Sequence, residues 1–153
     1  AEWTPAGPSS YELLYRSGAG LTPRPLRRIA SGGELSRVML ASKVVLGNAD
    51  GVDTLVFDEV DAGVGGSTAR ALAGVLADLA ATHQVIVVTH LAQVAVMADK
   101  HYVVSKEPGD VPQTHLDEVT GDARTAEIAR MLSGDQSEAS LAHAKQMLEE
   151  ARA

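Results

Sequence analysis

The sequence predicts an α/β fold with parallel core strands and flanking helices, and three observations carry that reading. Thr54-Leu55-Val56-Phe57 and Val85-Ile86-Val87-Val88 are short apolar runs rich in β-branched residues, the pattern of strands buried on both faces of a parallel sheet. Between them, Leu72, Val75, Leu76 and Leu79 recur at helical spacing and mark one apolar face. Strand, helix, strand is a βαβ unit, whose crossover is expected to be right-handed. The chain's 153 residues, 45% hydrophobic and 22% charged, suit a single domain able to bury a core.

The other elements follow in chain order. Ser10 to Arg16 reads as a strand, with Tyr11, Leu13 and Tyr15 alternating imperfectly against Glu12 and Leu14. Thr22-Pro23-Arg24-Pro25 reads as a loop, because proline lacks an amide donor and restrains the residue before it. From Glu34 to about Leu46, Leu35, Val38, Met39 and Val45 recur at helical spacing, and Gly47-Asn48 supplies the stop. Beyond Asp99, His101 to Lys106 and Gln113 to Val119 read as strands, followed by two amphipathic helices, Ala123 to Leu132 and Ser137 to Glu150.

Composition removes several function classes. With no cysteine there is no disulfide framework, no thiolate nucleophile and no Cys-ligated zinc or iron–sulfur site. No apolar run approaches the roughly 18 residues that cross a bilayer. The start, AEWTPAGPSS, has neither the basic nor the apolar region of a secretory signal, so the cytoplasm is the expected compartment and no membrane partner is expected. The chain begins without Met, which suggests a processed chain or a piece of something longer. Its net charge of −7 repels nucleic acid at long range. Between Arg16 and Lys43, however, six basic residues face a single acid, Glu34, so an anion is expected near that third of the chain.

Three motifs carry chemistry. Ser31-Gly32-Gly33-Glu34 opens the first long helix. Taken structurally, Ser31 and Glu34 are a capping box. Two glycines in a first turn cost up to about 1 kcal/mol each relative to alanine, and they are kept where the backbone must approach something closely. Exposed amides, a partial positive dipole and a serine hydroxyl together form a phosphate site. In the second motif a hydrophobic strand ends in Asp58-Glu59, with Asp61 two residues on. Acids there are ordinary loop residues in one reading. In the other, at the C-terminal edge of a parallel sheet, Asp58 holds a hydrated Mg2+ and Glu59 orients and deprotonates a water. The third motif, Thr89-His90, ends the next core strand; a lone histidine there is in one reading simply a satisfied hydrogen-bonding residue, and in the other it points into the same crevice.

A serine-glycine-glycine-glutamate helix start, then hydrophobic-Asp-Glu, then Asp, then hydrophobic-Thr-His resembles the signature motif, Walker B, D-loop and switch histidine of ABC-type ATPase heads. Within that group IASGGELSRVMLASKVVL, DEVDAGVGGSTA and VVTHLAQVAVMADKHYVV resemble the RecN family, SMC-related bacterial proteins of DNA double-strand-break repair and recombination. The resemblance covers about Leu26 to Lys106 and extends less sharply through IARMLSG and AHAKQML. It implies that Ser31, Gly32 and Gly33 meet the γ-phosphate of ATP held by an opposite head, with Glu34 counted among the nucleotide-binding residues. It also implies that Asp58 ligands Mg2+, Glu59 activates water, His90 senses the γ-phosphate and Asp61 lies at the head–head seam. The implied partners are a second identical head and, through the whole protein, DNA in the bacterial nucleoid.

The sequence departs from that group in one respect: it has no Gly-x-x-x-x-Gly-Lys-Ser/Thr. Gly63-Val-Gly-Gly-Ser67-Thr68 lacks the lysine and follows the carboxylates. The chain therefore looks like the C-terminal lobe of a head without its Walker A segment. It divides into a strand and basic loop at 1–30, the motif core at 31–100 and the terminal strands and helices at 101–153. Charge supports the reading as a lobe without Walker A: ATP brings about four negative charges, and Asp58, Glu59 and Asp61 add three. Mg2+ and a helix dipole of about +0.5 do not balance them. The missing cation is expected from the N-terminal lobe, and this chain alone is expected to be inactive as an ATPase. One alternative is a metal-dependent phosphodiesterase or nuclease binding Mg2+ or Mn2+ directly through Asp58, Glu59, Asp61 and His90, which leaves Ser31 to Glu34 without a task. The other is a non-catalytic interaction module. Arg24, Arg27 and Arg28 face either DNA phosphates or the other lobe.

Overall fold

Each of the long periodic segments forms the element its pattern calls for. The structure, a computed structural model, describes residue 7 and residues 11–29, 31–109 and 113–152, with only the backbone at 48 and 50. The strand expected over Ser10 to Arg16 shrinks to β1 (Leu14–Tyr15), with Ser10 itself outside the described residues. It pairs antiparallel with β2 (Arg24–Pro25), so half of the expected proline loop is a short strand. A 3-10 turn follows at Leu26–Arg28. Two-residue pairing fits a segment whose proline removes a ladder donor.

Helix α1 (Gly32–Leu46) starts at the serine cap and stops at Gly47, in a positive-φ conformation (φ 54°) that glycine adopts without strain. Then come β3 (Thr54–Phe57), α2 (Gly66–Ala80) and β4 (Gln84–Val87). β3 and β4 are parallel and in register from Thr54 opposite Gln84 to Phe57 opposite Val87. A single helical turn, α3 (Ala92–Ala95), leads to an antiparallel hairpin of β5 (His101–Glu107) and β6 (Gln113–Val119). α4 (Gly121–Ser133) and α5 (Glu138–Glu150) complete the order.

Expectation and structure part over the faces of the parallel strands. Leu55 and Phe57 are buried and pack with Leu40 of α1, Ala73, Leu76 and Leu79 of α2, and Val60 and Val94. Val85 and Val87 join them from β4. The opposite face was expected to be buried too. Instead Val56, Ile86 and Val88 are 65%, 46% and 58% exposed, because among the described residues no element covers that side. The apolar positions expected to seat α1 fare similarly: Leu35, Met39 and Val45 are exposed, and Leu40 is the side chain that reaches the core. A second cluster unites Ala92, Ala95 and Val96 with Ile128 and Ala129 of α4 and Ala144 and Leu148 of α5. α3 thus bridges the two, with Val94 in the first and its alanines in the second.

Candidate functional site

The three sequence motifs meet at the C-terminal end of β3 and β4. Ser31 caps α1 by accepting a hydrogen bond from the Glu34 amide at 3.4 Å, and Ser31 and Gly32 are exposed while Gly33 is buried. The two glycines are held close to the acid-bearing loop of the same chain. A Cβ on Gly33 would stand 2.8 Å from both the Ala62 Cβ and the Glu59 carbonyl oxygen, and 3.2 Å from Arg37 Nη1. A Cβ on Gly32 would stand 2.5 Å from Glu59 Oε2. Packing therefore explains Gly33 without a ligand, whereas the neighbour of Gly32 is a carboxylate laid over the helix tip.

That loop is clamped from two sides. On the α1 side, Ser36 Oγ donates to the Asp58 carbonyl at 2.6 Å, and Arg37 Nη1 donates to the carbonyls of Val60 and Ala62 at 3.1 and 2.9 Å. On the β4 side, the Val88 amide donates to the Phe57 carbonyl at 2.9 Å, which carries Thr89 and His90 alongside Asp58 and Glu59. Val60, 0% exposed, plugs the loop into the core. Within the loop the Ala62 amide closes a turn on the Glu59 carbonyl at 2.9 Å. Glu59, at φ 55°, is the one non-glycine residue with positive φ among those described. Such strain costs on the order of 1–3 kcal/mol and persists where surrounding contacts over-determine the backbone, as they do here.

Asp61, expected at the head–head seam, is enclosed within the chain itself. It is 1% exposed. Its Oδ2 accepts from Thr89 Oγ1 and, at 3.3 Å, from the His90 amide. His90 Nδ1 lies 3.4 Å from the same oxygen while the imidazole remains largely exposed. The reason lies in the loop's course: with Val60 inserted and a second turn from the Val64 amide to the Asp61 carbonyl at 3.0 Å, the Asp61 side chain is directed inward toward the end of β4. The four-ligand metal site of the nuclease alternative is not assembled. Among the described residues no group of three or more His, Asp or Glu is placed to hold an ion.

By sequence the chain is 51% identical over 146 residues to the DNA repair protein RecN of Treponema pallidum, which covers 94% of the chain. It is 52% identical over 149 residues to that of Deinococcus radiodurans and 48% over 151 to that of Streptomyces coelicolor, each covering 97% of it. The chain belongs to the RecN family. It spans about a quarter, 26%, of the length of these relatives. No family model matches. A solved structure from work on ATP-driven dimerization of SMC ATPases aligns with 88% of the chain and 69% of its own at 21% identity, with a TM-score of 0.48, too low to establish a common fold.

In this RecN-family chain the motif residues converge, but the residues that hold them together were missed from sequence. Gly33, Ser36 and Arg37 stand three and four apart on one helix face. That spacing, read outward from the glycine, was the available signal for the two clamping residues. As for a metal, Asp58 is exposed at the strand end, and Mg2+ is usually held by one or two carboxylates together with phosphate oxygens and water. The donor set fits a substrate-completed Mg2+ site and not an all-protein cage. Among the described residues no helix is long and apolar enough to cross a membrane.

Proposed function

We propose that this chain is the C-terminal lobe of an ABC-type ATPase head in a RecN-family protein, and that two such heads sandwich ATP between them during DNA double-strand-break repair. The exposed Glu59 and His90 at one end of the β3–β4 pair, together with an exposed Ser31–Gly32 tip able to meet a second head, carry the proposal. A base and a sensor at adjacent strand ends serve one γ-phosphate, while in a two-headed sandwich the α1 tip of the same chain serves the nucleotide of the other head. The open face of β3–β4 supports an N-terminal lobe as the neighbour, since a parallel sheet is ordinarily covered on both sides. That lobe, carrying Walker A, supplies the cation that the site's acids and the triphosphate require.

In this reading the amides of Gly32 and Gly33 and the hydroxyl of Ser31 donate to γ-phosphate oxygens held by the opposite head, with Glu34 fixing the cap. Glu59 withdraws from the helix tip and takes a proton from the water that attacks the γ-phosphorus. His90 donates to the phosphate oxygens as their charge redistributes. Asp58 would hold Mg2+, which when bound offsets phosphate charge. Asp61 acts from beneath by holding the Thr89–His90 segment. The protein works in the cytoplasm at the nucleoid, and this lobe alone has no substantial turnover.

The test uses the intact protein. Glu59→Gln keeps the side chain's shape without the base, so ATP-dependent dimers should persist in sedimentation while hydrolysis is lost. Ser31→Arg fills the phosphate gap and should abolish those dimers. Unchanged hydrolysis in the first variant removes Glu59 from its role, and ATP-dependent dimers in the second refute the sandwich. Hydrolysis by the isolated lobe at an ordinary enzymatic rate of about 1 s⁻¹ or more would overturn its dependence on the other lobe.

A further inference from the structure

Arg124, on the first turn of α4, is only 8% exposed, and among the described residues no carboxylate pairs with it. A guanidinium is costly to bury without an opposite charge, so something else must repay its place. It is spent on the end of α3: Arg124 Nη2 donates to the carbonyls of Ala95, Val96 and Ala98 at 3.2, 3.3 and 2.6 Å. A single helical turn is not stable alone, and its last carbonyls have no partner within the helix. A basic side chain at that end supplies the missing donors.

The other end of α3 adjoins His90. Its cap residue is Leu91, whose amide donates to Thr89 Oγ1 at 3.0 Å, and the same hydroxyl donates to Asp61. His90 therefore stands between two anchors, the buried Asp61 carboxylate on one side and α3 on the other. The imidazole itself is largely exposed, and Asp61 is the acid near it, at 3.4 Å. With so little touching the ring, the backbone on either side decides where it stands. α3 is seated by Val94 in the first core cluster and by Ala92 and Ala95 in the second. Arg124 ties its end to α4, whose Ile128 and Ala129 pack with Ala144 and Leu148 of α5.

We propose that Arg124 is a positioning residue for His90: by holding the carbonyls at the end of α3, it fixes from the α4 side the place from which the imidazole meets the γ-phosphate. The proposal rests on the reading of His90 as the phosphate sensor. Arg124 touches no reacting atom and acts through the backbone of α3. Such leverage is large, since misplacing a contacting group by about 1 Å can cost about a hundredfold in rate. It also gives the α4–α5 pair a task in the strand-end chemistry, although none of its residues lies at the strand ends.

The test follows single-turnover ATP hydrolysis by the intact protein, in which low residual rates stay measurable, for the wild type, His90→Ala, Arg124→Gln and the double variant. In folded protein Arg124→Gln should lower the rate at least about fivefold while ATP affinity changes by less than about twofold. In the His90→Ala background the same replacement should cost less than about twofold, because the side chain it positions is gone. A residue that only props the fold would lower the rate by one factor in both backgrounds. That outcome overturns the proposal, as does wild-type hydrolysis by folded Arg124→Gln. If Arg124→Gln does not fold, Arg124→Lys, which keeps the charge on a single nitrogen, carries the same comparison. Wild-type hydrolysis by His90→Ala refutes the sensor reading itself, and the proposal with it.

Discussion

Replacing each signature glycine by alanine should have opposite consequences. At Gly33 the new methyl would stand 2.8 Å from the Glu59 carbonyl oxygen and from the Ala62 Cβ, neither of which can rotate away. Arg37 and Ser36 of the same helix tie that loop to α1, so it does not move away. Overpacking of this kind costs about 1–3 kcal/mol, against a helix-propensity gain of at most about 1 kcal/mol. Gly33→Ala should therefore destabilise the chain by about 1–2 kcal/mol. At Gly32 the contact is the tip of the exposed Glu59 carboxylate, which moves by a side-chain rotation, so Gly32→Ala should be neutral or stabilising by up to about 1 kcal/mol. Urea denaturation of both variants reads the difference, and for a domain of this size thermal midpoints should differ by several degrees, at about 2–4 °C per kcal/mol. Equal midpoints, or the reverse order, would show that the α1 tip does not pack on the Glu59–Ala62 loop.

Two further outcomes are expected. Asp61→Leu leaves the Thr89 hydroxyl and the His90 amide without their acceptor and should cost about 1–3 kcal/mol. Asp61→Asn retains an acceptor of the same shape and should cost less than half as much in the same urea titrations; equal losses would mean that Asp61 is not held through its oxygen. His101 sets a pH dependence: burial and Arg124 lower its folded value below the ordinary 6.5 or so, so the unfolded chain binds more protons in that window. Stability should be full above about 6.5 and fall as pH drops from there toward the folded value. His101→Gln should flatten that slope in denaturation midpoints taken between pH 7 and 5, and an unchanged slope would contradict the assignment.

The helices and core strands were legible because their signals are local. A 3.6-residue apolar period, a serine before the first turn and runs of β-branched residues act within a few residues of themselves. β6 was read to the residue and β5 to within one, while β4 slipped by one, because Val88, although its amide bonds Phe57, has no Cα partner in the ladder, which starts instead at Gln84. Local signals also named the residues at the strand ends, since a hydrophobic run closing in Asp58-Glu59 or Thr89-His90 fixes where those side chains fall along the chain.

What no local pattern contains is which side of an element meets another. Val56, Ile86 and Val88 have core composition yet face outward, because burial depends on the presence of a neighbour across the sheet. Asp61 resembles its neighbours Asp58 and Glu59 in charge and position, and only the insertion of Val60 and the arrival of Thr89 from 28 residues away turn it inward. Ser36 and Arg37 likewise acquire a role only once the loop after β3 lies against α1. Sequence alone determined the elements and the order of the chemical groups along them. The long-range contacts decided which of those groups meet solvent and which hold the others in place, since hydrogen bonds and packing between distant segments exist only after the chain has folded back on itself.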